Sequence, residues 1–374
     1  MDYQKRVAEF QKIMQAEGID ASFLTRRFVI GYFTGAFTPW SSALYIPANG
    51  EPVLITFEVD VPRVKAESYF QDVRGWILRL FDCIDDIVTR NGLSRGKLGF
   101  ELGTAVDVGV LTAGEYLEFK EQFPETSIVS VLNMVNQMQL IKTTEEIELM
   151  RRAAEAVDLG EQMAFEALSI GITETELAGY AELGMRKAGS MFNWCVTGTE
   201  IGAGYNQSRP MCFTSIPSHK RVQYGEIVTV DIHSMYDLYI SDLSLNCIIG
   251  QPTKAQMKLA DNWKILAEYM MSRLKPGAVC GDLFSDFYGK ACEMGVDDYI
   301  VPSFSHGLGL DARIPPSINP GSEFVLQENM AIELILQMTQ PNVGGMRLEY
   351  PIIIRDFGAE PLSRMPLDLR IKPF

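Results

Sequence analysis

The chain has 374 residues, 48 of them acidic and 33 basic, for a formal net charge of −15. A chain this acidic, with no basic stripe, lacks the material for a nucleic-acid interface, which draws its affinity from phosphate contacts. Apolar residues at 47% and charged residues at 22% exclude a disordered chain, and no apolar run approaches the length of a membrane span.

The N-terminus, Met1-Asp2-Tyr3-Gln4-Lys5-Arg6, carries charge at once, so no signal peptide is visible. Val7, Phe10, Ile13 and Met14 stand at helical spacing over residues 2 to 18, with Gly18 as the terminating glycine. Short apolar runs follow, Ala21 to Leu24, Phe28 to Phe33, Ala43 to Ile46 and Pro52 to Phe57, and these read as strands, with helices near 60 to 70 and 80 to 91. The expectation for this part is a small α/β domain. A long helix is predicted from Thr144 to Leu168, with Glu145, Glu146 and Glu148 near the positive end of its dipole. Thr173 and Glu176 form a capping box for a second helix. Two strands are expected at Ile227 to His233 and Tyr239 to Gly250, around a turn at Ser234 to Asp237. Helices near 254 to 273 and 280 to 294 and strands near 330 to 339 and 346 to 355 complete the chain. At this length two domains are expected, with the boundary between 125 and 143, giving domains of 1–135 and 136–374. The six cysteines (Cys83, Cys195, Cys212, Cys247, Cys280 and Cys292) include no Cys-x-x-Cys pair, which argues against a disulfide scaffold or zinc knuckle and for a reducing, cytoplasmic compartment.

The chemistry-bearing residues lie in the second half. Asp231 interrupts the apolar run Ile227-Val228-Thr229-Val230, and Asp242 follows Tyr239-Ile240-Ser241 on the expected partner strand. A carboxylate in such a setting must be paired, hydrogen-bonded or metal-bound, because burying it alone is too costly. Glu333, within Met330 to Ile335, and Glu349, within Met346 to Ile352, repeat the pattern. One such carboxylate is best explained by a lysine or arginine partner, Arg347 being the obvious one; four of them, with His306 in Phe304-Ser305-His306-Gly307-Leu308-Gly309, are better explained by a metal site. Mutual repulsion would raise their pKa values in an empty site, and two divalent cations cancel four carboxylates. Oxygen donors with one imidazole suit manganese, iron, cobalt or zinc without deciding among them.

With these residues in view, the sequence resembles the family of methionine aminopeptidase, aminopeptidase P, prolidase and creatinase. The resemblance rests on Met138 to Ala156, on Leu274-Lys275-Pro276-Gly277 and on His306-Gly307-Leu308-Gly309-Leu310-Asp311. It implies an α/β (α+β) fold, a pita-bread catalytic domain preceded by a smaller creatinase-type N-terminal α/β domain. It also implies metal ligands at Asp231, Asp242, His306, Glu333 and Glu349, proton transfer by Glu333, a catalytic role for His219, and a homodimer in which the partner covers the site. Arg313 and Pro302 stand where peptidase members carry histidines, which weakens the Xaa-Pro peptidase reading. Arg313 reads either as a bidentate clamp for a substrate carboxylate or as a surface arginine. His233, where glycine is common in the family, falls on the same strand face as Asp231 and reads as an extra ligand, a substrate contact or a strand-end polar residue.

The first expectation is a metal-dependent hydrolase of a small C–N substrate, of the kind the Xaa-Pro dipeptidases exemplify, with catalytic His219 and Glu333 and substrate contacts at His233 and Arg313. The rivals are a creatinase-like, metal-independent amidinohydrolase working from His219, a lyase of the dimethylsulfoniopropionate lyase type, and a non-catalytic binding protein. Gly198 to Gly204 is glycine-rich but leads into no capped helix; it is not a phosphate loop and reads as a substrate-lining loop. Asn206-Gln207-Ser208 fits the glycosylation pattern by chance, and no Gly-x-Ser-x-Gly elbow is present.

Overall fold

The computed structural model describes residues 1–103, 111–191, 198–204, 216–311 and 313–373. The chain divides into two compact units, Met1–Gln139 and Leu140–Phe374. Cys195, Cys212 and the Asn206-Gln207-Ser208 triplet lie outside the described residues; Cys83, Cys247, Cys280 and Cys292 are free thiols.

The first unit runs α1 (Tyr3–Ala16), β1 (Ala21–Leu24), α2 (Arg27–Thr34), β2 (Ala43–Pro47), β3 (Val53–Phe57), α3 (Val61–Glu67), β4 (Val73–Trp76), α4 (Leu80–Arg90), β5 (Lys97–Phe100), α5 (Ala113–Gln122), β6 (Ser127–Ser130) and α6 (Leu132–Leu140), the last reaching the division between units. Its strands form one mixed sheet in the order β4-β3-β2-β1-β5-β6. The run Phe28 to Phe33, expected as a strand, is the helix α2. Every residue from Phe28 to Thr34 is buried, so the run has no polar face to reveal the 3.6-residue period, and Gly35, at φ 76°, ends the helix in a left-handed conformation.

The second unit opens with α7 (Thr144–Ala167) and α8 (Glu174–Lys187). Both begin with complete capping boxes, Thr143 with Glu146 and Thr173 with Glu176, which satisfy amide groups the helices cannot pair internally. Then come β7 (Glu200–Ala203), β8 (Ile227–Tyr236), β9 (Tyr239–Ile249), α9 (Lys254–Arg273), α10 (Cys280–Met294), β10 (Ile300–Val301), β11 (Ser305–Gly307), β12 (Ala331–Gln340), β13 (Gly344–Arg355), β14 (Gly358–Pro361) and β15 (Arg370–Lys372). The sheet runs β10-β12-β13-β9-β8-β7, with β11 beside β12, β14 beside β13 and β15 beside β9. Two local expectations are corrected. The stretch Gly198 to Gly204 is largely the strand β7, paired antiparallel to β8, rather than a loop. The turn expected at Ser234 to Asp237 shrinks to Asp237 and Leu238, both at positive φ (46° and 71°), the two-residue hairpin connection whose twist matches that of its strands.

Alternation along these strands separates two chemistries. Val230 and Ile232, Leu243 and Leu245, Leu334 and Leu336, and Leu348 and Tyr350 enter one hydrophobic cluster with Trp263 and Leu266 of α9. Each fully buried leucine or isoleucine there stabilises the fold by roughly 1.5–3 kcal/mol. The alternate positions, on the opposite face of the same strands, hold the acidic residues.

Candidate metal centre

Register follows from the hairpin. Because Tyr236 pairs with Tyr239, His233 stands opposite Asp242 and Asp231 opposite Ser244. Glu349 of β13 also pairs with Ser244, and Ile335 pairs with Glu349, which puts Glu333, two residues back, on the same face. His306 of β11 pairs with Glu333, and Glu200 of β7 pairs with Asp231. Six strands thus deliver Asp231, His233, Asp242, His306, Glu333, Glu349 and Glu200 to one buried patch. Ligand atoms from Asp231, His233, Asp242 and Glu349 all lie within 4.8 Å of one another. Glu333 and His306 complete the patch electrostatically: the charges of Asp242, Glu349 and His233 act on Glu333, and those of Glu349 and His233 on His306.

Among the described residues, a single permanent cation enters this cluster from the protein itself. Arg347, two residues before Glu349 on β13, places Nη1 2.9 Å from Asp231 Oδ2 and 3.3 Å from Glu200 Oε2, and Nη2 2.6 Å from Glu349 Oε1. Its backbone is clamped by Asn246, whose Oδ1 accepts from Arg347 N at 2.9 Å and whose Nδ2 donates to Arg347 O at 2.7 Å. Arg347 therefore holds the outer oxygens of Asp231 and Glu349. Asp231 Oδ1 and both oxygens of Glu333 are buried and accept no hydrogen bond from the described residues.

The electrostatics follow. Burial, reinforced by the Glu349 charge, pushes Asp242 up to about 7. Burial, then the Asp242 and Glu349 charges, holds Glu333 well above the usual carboxylate range, and Asp231 is likewise raised by burial despite Arg347. Glu349 moves the other way: burial opposes its ionisation, but Arg347 and a hydrogen bond with Asp242 outweigh it and hold the carboxyl low. Burial and then the Arg313 charge push His306 down to about 4, so its imidazole is neutral near pH 7. His306 Nδ1 sits 3.1 Å from Gly307 O, which accepts the ring proton and leaves Nε2 with its lone pair.

Two expected site residues stand apart from the patch. His219 is exposed, in the segment after Ile216, and Arg313 is exposed though near enough to act on His306. The segment carrying His219 is anchored by buried Glu174 at the start of α8, which accepts from Ser218 N at 3.1 Å and Ser218 Oγ at 2.6 Å. Pro302 is exposed, between β10 and β11. Sequence reasoning missed Glu200, whose glycine-rich surroundings hid a strand; the pairing of that strand with the one bearing Asp231 is what reveals it.

Comparison with known proteins agrees with this architecture. Residues 148–356 match Metallopeptidase family M24, and residues 6–141 match the Creatinase/Prolidase N-terminal domain. An Xaa-Pro dipeptidase of Pyrococcus furiosus is 27% identical over 365 residues, covering 98% of this chain and 99% of that protein. The solved prolidase from Pyrococcus furiosus superposes with a TM-score of 0.83 at 26% identity, covering 95% of this chain and 99% of the other. An Xaa-Pro dipeptidase from Bacillus anthracis shares the fold at TM-score 0.87 and 23% identity, covering 99% of this chain and all of the other. A buried acidic and imidazole patch on this sheet, with a family match spanning more than half the residues, shows that the chain belongs to metallopeptidase family M24, with a creatinase-type N-terminal domain ahead of a pita-bread catalytic domain.

Proposed function

We propose that the protein is a metal-dependent hydrolase of Xaa-Pro dipeptides, with catalysis in residues 136–374, two divalent cations held by Asp231, Asp242, His306, Glu333 and Glu349, and Glu333 as the proton-transferring carboxylate. The observation that carries this reading is Glu333: it is fully buried, neither of its oxygens accepts a hydrogen bond, and it faces other acids. Such a group is too costly to keep for packing alone. Charge balance supports the same view. Glu200 and Arg347 cancel as a pair, leaving the four carboxylates of Asp231, Asp242, Glu333 and Glu349, the charge that two divalent cations neutralise. When bound, such cations supply Lewis acidity and a water acidified towards neutral pH. Manganese, cobalt, iron and zinc all suit the donors.

Glu333 is the carboxylate suited to take a proton from the attacking water and pass it to the leaving amine, since it is buried on the face shared by the other acids and engaged by no hydrogen bond. Arg313, exposed and acting on His306 from outside, suits a clamp on the substrate's terminal carboxylate, and exposed His219 suits a contact with the substrate amide. The match with Xaa-Pro dipeptidases over nearly the full length of both chains favours this substrate class. A metal-independent amidinohydrolase gives no account of four converging carboxylates, and the Xaa-Pro dipeptidase relatives favour a hydrolase over a lyase. We further propose a cytoplasmic homodimer. The exposed Val59, Ile77 and Leu78 of the first unit supply apolar surface for association, and the four free thiols among the described residues fit a reducing compartment.

The test is a panel of Xaa-Pro dipeptides, creatine-like amidines and sulfonium compounds presented to the metal-loaded and the chelated protein. Proline release from the dipeptides, lost on chelation and restored by manganese or cobalt, is expected, with Arg313→Ala raising KM more than it lowers kcat. Amidine turnover that survives full demetallation would overturn the reading.

A further inference from the structure

We propose that His233 is itself a metal ligand, so that one of the two cations is held by Asp231, His233, Asp242 and Glu349 and the centre carries a second imidazole. The inference rests on the metallohydrolase reading and extends its ligand set. The two-residue turn at Asp237 and Leu238 fixes the register that sets His233 directly across from Asp242, and alternation places it on the face of Asp231. A one-residue slip would turn it into the hydrophobic cluster instead. Its Nε2 lies 3.1 Å from Asp242 Oδ1 and 3.8 Å from Asp231 Oδ1. Donor atoms each about 2.1 Å from one cation and at right angles to one another stand about 3.0 Å apart, so the separation of His233 from Asp242 is that of neighbouring ligands, and Asp231 Oδ1 stands at a wider angle.

The other ring nitrogen sets the direction of the lone pair. His233 Nδ1 lies 3.3 Å from Gly198 O, and a carbonyl only accepts, so Nδ1 carries a proton; in the neutral tautomer that this contact selects, Nε2 is the nitrogen left to bind a cation beside the carboxylates. The ligand atoms of Asp231, His233, Asp242 and Glu349 all lie within 4.8 Å of one another, a spacing that one shared cation can span. The outer oxygens of Asp231 and Glu349 are already turned away by Arg347, which leaves Asp231 Oδ1 and Glu349 Oε2 for the ion. The rival role for His233 is a protonated counter-ion to the two aspartates, which would compete with a cation for the same oxygens. A second imidazole moves the donor set towards zinc, cobalt and iron and away from manganese.

The experiment is reconstitution of the metal-free protein with Co(II), read by paramagnetic proton NMR and by calorimetric titration. Two shifted, slowly exchanging ring N–H signals are expected in the wild type, from His233 and His306, because each Nδ1–H is held by a backbone carbonyl. His233→Gly is expected to keep one of the two signals and to lose at least about tenfold in affinity at one of the two sites, with added imidazole restoring it. If the glycine variant does not fold, His233→Asn serves, and the wild-type spectrum alone decides the ligand count. One shifted signal in the wild type, or unchanged affinity in the variant, overturns the assignment while leaving metal-dependent dipeptide hydrolysis standing. Failure of the wild type to bind Co(II) at all would sink both.

Discussion

Arg347→Met removes the one guanidinium that the described residues place inside the acidic patch, while keeping most of the side chain's bulk. In the native protein that group contacts Asp231, Glu200 and Glu349 at 2.9, 3.3 and 2.6 Å, and only 8% of the residue is exposed. Breaking a buried ion pair by deleting one partner costs about 3–5 kcal/mol, and here three carboxylates lose the same cation, which puts the metal-free protein at the upper end of that range. Part of the loss is recovered as Glu349, no longer held low by Arg347, takes up a proton. For a unit of this size each kcal/mol moves the midpoint by roughly 2–4 °C, so melting of the chelated variant should fall by roughly 6–20 °C. Saturating manganese or zinc should narrow the gap, since ligands that bind only the folded state stabilise by mass action. The assay is urea unfolding with and without chelator, with a cycle through Glu349→Gln to isolate the pair. A loss below about 1 kcal/mol in the chelated protein, the scale of an exposed pair, would refute the argument that this guanidinium is the protein's own counter-charge for the site.

Glu333→Gln should lower kcat by about 10²–10⁴-fold without unfolding the protein, and in the metal-free state it should be stabilising, because a neutral amide replaces a buried acid; near-normal turnover would show that proton transfer lies elsewhere. Metal binding should release protons and tighten as the pH rises through about 7, because Asp242 titrates there and Asp231 and Glu333 are also raised; calorimetry in buffers of different ionisation enthalpy reads this, and equal affinity at pH 5 and pH 8 would contradict it. The same shifts fix a sign for stability. Acids whose folded pKa is raised favour folding below their unfolded value, so the metal-free protein should lose stability as the pH climbs from the ordinary aspartate range through about 7. Gly307→Ala should weaken metal binding at least about tenfold, since its Cβ would meet Pro315 O at 2.3 Å and Ile314 O at 2.6 Å and push His306 off its register; wild-type affinity in that variant would show that the strand yields freely.

Much of this centre was legible in the sequence because charge inside an apolar run is costly, and the cost marks the residue. Asp231, Asp242, Glu333 and Glu349 each interrupt such a run, and alternation then fixes which neighbours share their face. The same logic named Arg347 as a partner, although not the three-way contact with Glu200, Asp231 and Glu349 that long-range pairing creates. The helix after Thr173 was visible for a local reason, since its capping box lies within four consecutive residues, and the one before it through the acidic residues of its first turns. The failures were also physical. Phe28 to Phe33 is buried all round and so carries no periodicity, and β7 is four residues long within a glycine-rich stretch, so its identity comes from its partner β8.

The most direct test of the account is the metal stoichiometry of the purified wild-type protein, by elemental analysis and by titration of the stripped protein with zinc or manganese. Two equivalents per chain, bound with loss of protons and required for release of proline from an Xaa-Pro dipeptide, are the expected result. A protein that binds no divalent cation and is equally stable with and without chelator would mean that the buried acids are balanced in some other way, and would contradict the account.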